Sequence, residues 1–188
     1  MSEDETWYQC INENNVLMQG DLIYGCPYVI PPKDISVGTD KKVDIIEYNI
    51  MILTQSCDLE KNNLDHVLVC PFWTLNEIEE IYPQLKDNNL KESTKRGYQP
   101  AWLLLDKLDD DFLIVDFRYA YSVPMETLNI LINRNPIRRR LISPYREHLS
   151  QEFAKFFMRV GLPKGIPHFS KFKIDYCRKC PVQHTVRE

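Results

Sequence analysis

This chain of 188 residues contains no apolar run longer than a few residues, no internal repeat and no low-complexity segment. A helix that crosses a bilayer needs about 20 apolar residues in succession and a signal-peptide core about 7–15, so neither is expected here. The chain begins with the acidic stretch Ser2-Glu3-Asp4-Glu5, and together these features predict a soluble cytoplasmic protein with no membrane partner. Strand–helix–strand alternation is also missing ahead of the Cys-x-x-Cys pair near the end, which argues against a thioredoxin-like redox site. What is present is a globular composition, 44% hydrophobic, which suffices to bury one good core. One domain over residues 1–163, with a helical insertion around 75–95, and a tail over residues 164–188 are expected. In a reducing compartment the six cysteines, Cys10, Cys26, Cys57, Cys70, Cys177 and Cys180, suit buried thiols, metal ligands or a nucleophile better than a disulfide framework.

The net charge of −4 hides a split. Residues 1–132 carry ten Lys/Arg against 23 Asp/Glu, whereas residues 133–188 carry thirteen against four. Arg138-Arg139-Arg140 is the densest basic point, with Arg134, Arg146, Lys155 and Arg159 nearby. Two readings follow: a basic face for phosphates or an acidic partner, or a basic third that pairs with the acidic body of its own domain.

Along the chain, Gly20-Asp21-Leu22-Ile23-Tyr24 predicts a turn feeding a short strand, followed by a long loop containing Pro27, Pro31, Pro32 and Gly38. Strands are predicted over residues 43–47, 50–54, 67–71, 101–105 and 112–121, with Asp109-Asp110-Asp111 as the turn between the last two. Residues 75–85 have helical periodicity, whereas residues 86–95 are polar and suit a loop. A short helix is predicted from Pro124 through Leu131, and a longer one from Pro144 to residue 160. Ser143 would cap the longer helix, and Tyr145, Leu149, Phe153, Phe156, Phe157 and Val160 form its apolar face. The whole predicts an α+β fold built on a small, strongly twisted β-barrel with a long C-terminal helix packed on it.

Three groups of residues suit chemistry. The apolar run ending at Leu53 stops in Thr54-Gln55-Ser56-Cys57-Asp58, a thiol beside an amide that donates hydrogen bonds and a carboxylate that orients a base. His66 is the nearest imidazole in sequence for a Cys–His nucleophile. The competing role for this cluster is structural, with Asp58 capping the following turn. Cys177-Arg178-Lys179-Cys180, followed by His184, has the spacing that places two thiolates and an imidazole on one zinc, with Cys26, Cys57, Cys70 or His168 as the fourth ligand. Tyr24, Tyr28, Trp73, Tyr98 and Trp102 suit stacking on bases, with Arg96 beside Tyr98, or equally the sealing of barrel ends.

The order of these elements resembles the MazF/PemK toxins, small β-barrel ribonucleases of toxin–antitoxin systems, over roughly residues 18–162. Gly20-Asp21-Leu22-Ile23-Tyr24 is similar to the family's opening Gly-Asp strand, and residues 27–43 sit where it has a mobile loop. Residues 49–54, 67–71, 97–105 and 112–122, and the helix ending in Gly161-Leu162, complete the order. The resemblance implies RNA cleavage or RNA binding in a toxin-like or defence-like system, an antitoxin-like protein partner and a homodimer. In place of the family's catalytic Arg-Pro pair, however, this chain has Asn49-Ile50. The family's Thr or Ser past the third strand corresponds to Trp73, with Thr74 one step late; Arg118 or Arg96 would then supply a replacement positive charge. The sequence thus points to a divergent, rewired ribonuclease-like or RNA-binding barrel using Arg96, Tyr98, Arg138, Arg139 and Arg140. Two alternatives stand beside it: a non-enzymatic module that grips a protein segment in the barrel groove, and an enzyme centred on Cys57. A zinc site at Cys177, Cys180 and His184 predicts about one zinc per chain by elemental analysis, lost in Cys180→Ser; negligible metal in the unaltered protein refutes it.

Overall fold

The structure, a computed structural model, describes residues 7–12, 16–32, 42–61 and 63–158. Among the described residues eight strands form one antiparallel sheet: β1 (Tyr8–Ile11), β2 (Asp21–Ile30), β3 (Asp44–Ile52), β4 (His66–Thr74), β5 (Trp102–Leu108), β6 (Asp111–Asp116), β7 (Tyr121–Pro124) and β8 (Arg138–Leu141). Their order is β1-β8-β2-β3-β4-β6-β5, with β7 also pairing β4. The helices are α1 (Ser56–Leu59), α2 (Leu75–Ile81), α3 (Asn88–Lys95), α4 (Met125–Arg134) and α5 (Tyr145–Phe157). The fold is therefore α+β, as expected, but the sheet is not closed by a ladder: among the described residues no backbone pairing joins β1 to β5.

Alternation along the strands fills both faces. Leu22, Met51, Cys70, Phe72, Leu103, Leu105, Leu113 and Val115 point inward, and Leu149 of α5 covers them with Phe153 and Phe156 packed alongside. Their sequence neighbours Ile23, Ile50, Ile52 and Val69 point outward beneath Leu128 and Leu131 of α4. Ile114 and Leu104 point outward beneath Ile78 and Leu85, on α2 and the 3-10 turn Pro83–Lys86 that follows it. Burial on both faces explains why these strands read as unbroken apolar runs.

Several boundaries differ from the sequence expectation, each for a local reason. The residues expected to open a loop instead continue β2 to Ile30, so that Pro27 lies opposite Glu47 of β3. β8 pairs β2 only at Asp21 and Leu22; beyond that point β2 is an edge strand among the described residues, where the missing proline N–H interrupts no second ladder. The two strands expected over residues 43–47 and 50–54 are one, β3, which spans Asp44–Ile52. The strand expected over residues 112–121 is divided by a 3-10 turn, Phe117–Tyr119. Part of the expected loop over 86–95 is α3, started by the Asp87 carboxylate accepting the Asn89 N–H at 2.9 Å. Ser143 does not cap α5: the N-cap position is Pro144, one residue on, and makes no side-chain cap bond. The expected tail, residues 164–188, lies outside the described residues.

The largest departure concerns the arginine cluster. Arg138 and Arg140 of β8 are 4% exposed each and converge on Asp21, which is completely buried. Arg138 Nε donates to Asp21 Oδ2 at 2.8 Å, and Arg140 Nη2 donates to the same oxygen at 2.9 Å while its Nε binds Oδ1. The Val16 carbonyl accepts from both guanidinium groups, at 3.0 and 2.6 Å. Beside this cluster, Gly20 has a positive φ of 81°, and a Cβ there would stand 3.0 Å from Leu141 Cβ. Asp21→Asn strips two buried cations of their counter-charge, and the expected loss is about 3–5 kcal/mol, measured as a lowered urea midpoint. An unchanged midpoint would refute a structural role for the cluster.

Candidate functional site

The polar residues that follow β3 form the single turn α1. Thr54 Oγ1 accepts the Leu68 N–H at 2.7 Å, Ser56 Oγ accepts the Gln19 N–H at 3.2 Å, and buried Gln19 donates from Nε2 to the Leu53 carbonyl at 2.7 Å. These bonds fasten the end of β3 to β4 and to the segment before β2. Cys57 is exposed and directs its thiol to Gln55 Oε1 at 3.7 Å, while Asp58 pairs with Lys61 at 3.0 Å. His66 is exposed at the start of β4, opposite Pro124 in the ladder, and no hydrogen bond joins it to Cys57. A cavity of about 430 Å³ opens beside the turn, lined by Gln19, Thr54, Gln55 and Asp58 on one side and Ser150, Phe153 and Ala154 of α5 on the other. The arrangement is a braced strand end with a polar recess, without an assembled nucleophile and base.

Two thiols in the strands, Cys26 of β2 and Cys70 of β4, are inert by placement. Cys70 is buried and donates to the Asp116 carbonyl at 2.9 Å, and burial holds its thiol well above the ordinary range. Burial likewise raises the Cys26 thiol. Thr74 is engaged as a helix cap: its hydroxyl accepts the Glu77 N–H at 3.2 Å, and the Glu77 carboxylate accepts the Thr74 N–H at 2.8 Å. That reciprocal pair is a capping box.

Arg118 stands in the most organised polar–aromatic cluster. It lies on the 3-10 turn between β6 and β7, and its Nε donates to Asp116 Oδ1 at 2.8 Å. Asp116 is fully buried and also accepts the Trp102 indole N–H at 2.8 Å. The guanidinium carbon lies 4.9 Å from the ring centroids of both Tyr82 and Trp102, within cation–π range. The Tyr82 and Tyr119 hydroxyls are hydrogen-bonded at 2.9 Å. Burial, followed by that bond, pushes the Tyr82 phenol up to about 12, so it stays protonated at neutral pH. From Tyr119 the rings continue across the sheet. Trp73 follows at 6.1 Å, Tyr48 at 5.9 Å, Tyr28 at 5.5 Å and Tyr121 at 5.0 Å, each measured between centroids of successive neighbours. The geometry is tilted or edge-to-face throughout; Tyr119 is exposed, and the other rings of the series are half-buried.

The remaining candidates do not join this array. Arg96 pairs with Glu92 at 3.2 Å on the surface, and Tyr98, 71% exposed, follows it past Gly97. Of the three consecutive arginines, Arg138 and Arg140 face inward onto Asp21, and their charge is spent there rather than presented to phosphates. Cys177, Cys180 and His184 lie outside the described residues; among the described residues no cluster of three metal-ligating side chains occurs. Sequence reasoning missed Asp116, Tyr48, Tyr82, Tyr119 and Tyr121 as members of one surface. A usable signal existed for Asp116, a carboxylate that ends the apolar run Phe112-Leu113-Ile114-Val115 and therefore requires partners once buried.

Exposure and burial predict an order of thiol reactivity. With a maleimide under native conditions, Cys10 and Cys57 should label rapidly and Cys26 and Cys70 only on unfolding, read by peptide mass spectrometry. Rapid native labelling of Cys70 would contradict its placement. No family model matches the chain, and comparison with curated proteins gives no match either.

Proposed function

We infer that this chain is a non-enzymatic binding module, on a divergent barrel of MazF-like type, which captures an extended protein segment across the aromatic surface beside Arg118. The observation that carries this reading is the series of rings Tyr28, Tyr48, Trp73 and Tyr119, joined through the Tyr119–Tyr82 hydroxyl bond to Tyr82 and Trp102, with a guanidinium stacked at that end. Tyr, Trp and Arg dominate the energetics of protein interfaces because each gives much contact area for few rotors. Aromatic-lined grooves in particular accept proline-rich segments, which arrive already extended and lose little entropy. The charge around the surface selects among such segments. Asp44 and Glu47 are exposed on β3 near Tyr48, and residues 1–132 carry 23 acidic against ten basic side chains. The favoured partner is therefore a basic segment containing proline. Gripping a peptide is also what the resemblance implies for antitoxin-like partners.

Catalysis is not part of this reading. Thr74 is occupied as a cap, Arg118 is compensated by Asp116, and Cys57 has no base beside it. The RNA reading rests on a different observation: residues 159–188 carry seven Lys/Arg against two Asp/Glu, which would supply phosphate contacts while the rings stack on bases.

Tyr119→Ala tests the two together, because Tyr119 is 43% exposed and its removal leaves the sheet core untouched. Against an array of basic, proline-containing peptides, binding by the unaltered protein is expected to weaken about tenfold or more in the variant, a change of about 1.4 kcal/mol. Absence of peptide binding, together with RNA binding that falls steeply between low and moderate salt, would replace this reading with the nucleic-acid one.

A further inference from the structure

The recess beside α1 has more hydrogen-bonding capacity than the fold uses. Gln19 is 7% exposed, and an amide buried to that degree is ordinarily satisfied at both ends. Donation from Nε2 to the Leu53 carbonyl fixes which end is the nitrogen, whereas Oε1 accepts from no described residue. Among the described residues the only sealed side-chain polar atom without a partner is the Tyr121 hydroxyl. Gln19 Oε1 is therefore open to the cavity of about 430 Å³ that Gln19 lines. Two further acceptors line the same space. Asp58 gives one oxygen to Lys61, in a weak ion pair between solvent-exposed side chains, and its other oxygen has no described donor. On the wall formed by α5, the Ser150 hydroxyl is bonded to no described residue. Leu53, Leu68 and Phe153 supply apolar lining, and among the described residues no lysine or arginine lines the cavity.

We propose that this cavity binds a small primary amine in its ammonium form, with Asp58, Gln19 and Ser150 accepting its N–H donors and the apolar lining packed on its hydrocarbon body. An ammonium carries three donors and no acceptor, so it engages every open oxygen named above and brings no unpaired acceptor of its own. Other ligand classes fit less well. A carboxylate or phosphate would meet the Asp58 charge with no cation on the described walls to offset the repulsion. A neutral alcohol would bring a single donor to three acceptors, one of them charged. The volume falls in the range of small-molecule sites, roughly 300–1,000 Å³, and suits an amine that carries one aromatic ring. Binding substitutes the ligand for Lys61 beside Asp58, and little is lost in the exchange because Lys61 is solvent-exposed. No residue of this cavity belongs to the aromatic surface beside Arg118, so the two sites stand or fall separately.

Titration of the full chain with phenethylamine at neutral pH, read by ligand NMR, tests this against phenethyl alcohol and hydrocinnamate as neutral and anionic counterparts of similar size. Saturable binding of the amine is expected, with the alcohol about tenfold weaker and the acid without measurable affinity. Asp58→Asn alters a half-buried residue whose side chain bonds only Lys61, and should weaken the amine about tenfold while leaving the alcohol unchanged. Ala154→Trp sends a ring into the cavity from an exposed position on α5 and should abolish amine binding. The proposal is overturned if the unaltered chain shows no saturable amine binding or prefers the acid. Equal amine affinity in the Asp58→Asn variant, or binding that survives Ala154→Trp, overturns it as well.

Discussion

The Asp21 carboxylate, held between two guanidinium groups in the interior, is the constraint on which the remaining architecture depends. One oxygen pair draws β8 against the start of β2 and, through the Val16 carbonyl, anchors the segment that leads into β2. Moving any one of the three side chains would leave a charge buried without its partner, which is far costlier than loss of an exposed ion pair. Gly20 belongs to the same device. Its N–H donates to the Ile52 carbonyl at 2.9 Å and its carbonyl accepts the Leu141 N–H at 3.0 Å. The backbone thus bridges β3 and β8 at a point where a side chain would collide. The Gly-Asp pair that the resemblance singles out has, in this chain, a purely structural explanation.

That device also shows where a sequence alone misleads. Three consecutive arginines advertise a surface for anions, yet alternation along a strand sends the first and third to one side and the middle one to the other. Charge counts carry no information about which side is inside. Strands with two covered faces were legible because burial on both sides leaves an uninterrupted apolar run, as at Ile50-Met51-Ile52 and Phe112-Leu113-Ile114-Val115. The four-residue strands β1 and β8, the latter mostly arginine, were not, because their pairing is dictated by tertiary partners rather than by pattern. The helix α3 escaped notice for the related reason that only one of its residues, Thr94, is buried.

The candidate site was legible in part and for a similar reason. Trp73, Trp102 and Arg118 were visible as residue types, but their convergence depends on the 3-10 turn that lifts Arg118 out of the sheet and over two rings. The polar stretch after β3, by contrast, was conspicuous in sequence and proves to be mainly fastening. Thr54, Ser56 and Gln19 spend their hydrogen bonds on neighbouring backbone, leaving Gln55 and Asp58 to face the recess. Conspicuous polarity at a strand end is therefore compatible with a joint as much as with chemistry.

The 3-10 turn Phe117–Tyr119 has one more consequence. β4 pairs β6 at Phe72 opposite Val115, and β7 at Val69 opposite Tyr121. The register therefore slips by the three residues of the turn, and the slip is absorbed where Pro71, lacking an N–H, faces the gap. The turn itself stays tied to the sheet at its first residue: the Phe117 N–H donates to the Ala101 carbonyl at 2.9 Å, and its buried ring packs on Phe153 and Phe156 of α5. The molecule thus holds, within its aromatic cluster, a turn whose first residue is fixed in the core while Arg118 and Tyr119 stand exposed. A change of side chain at Tyr119 therefore alters the exposed surface there while the core contact at Phe117 is kept.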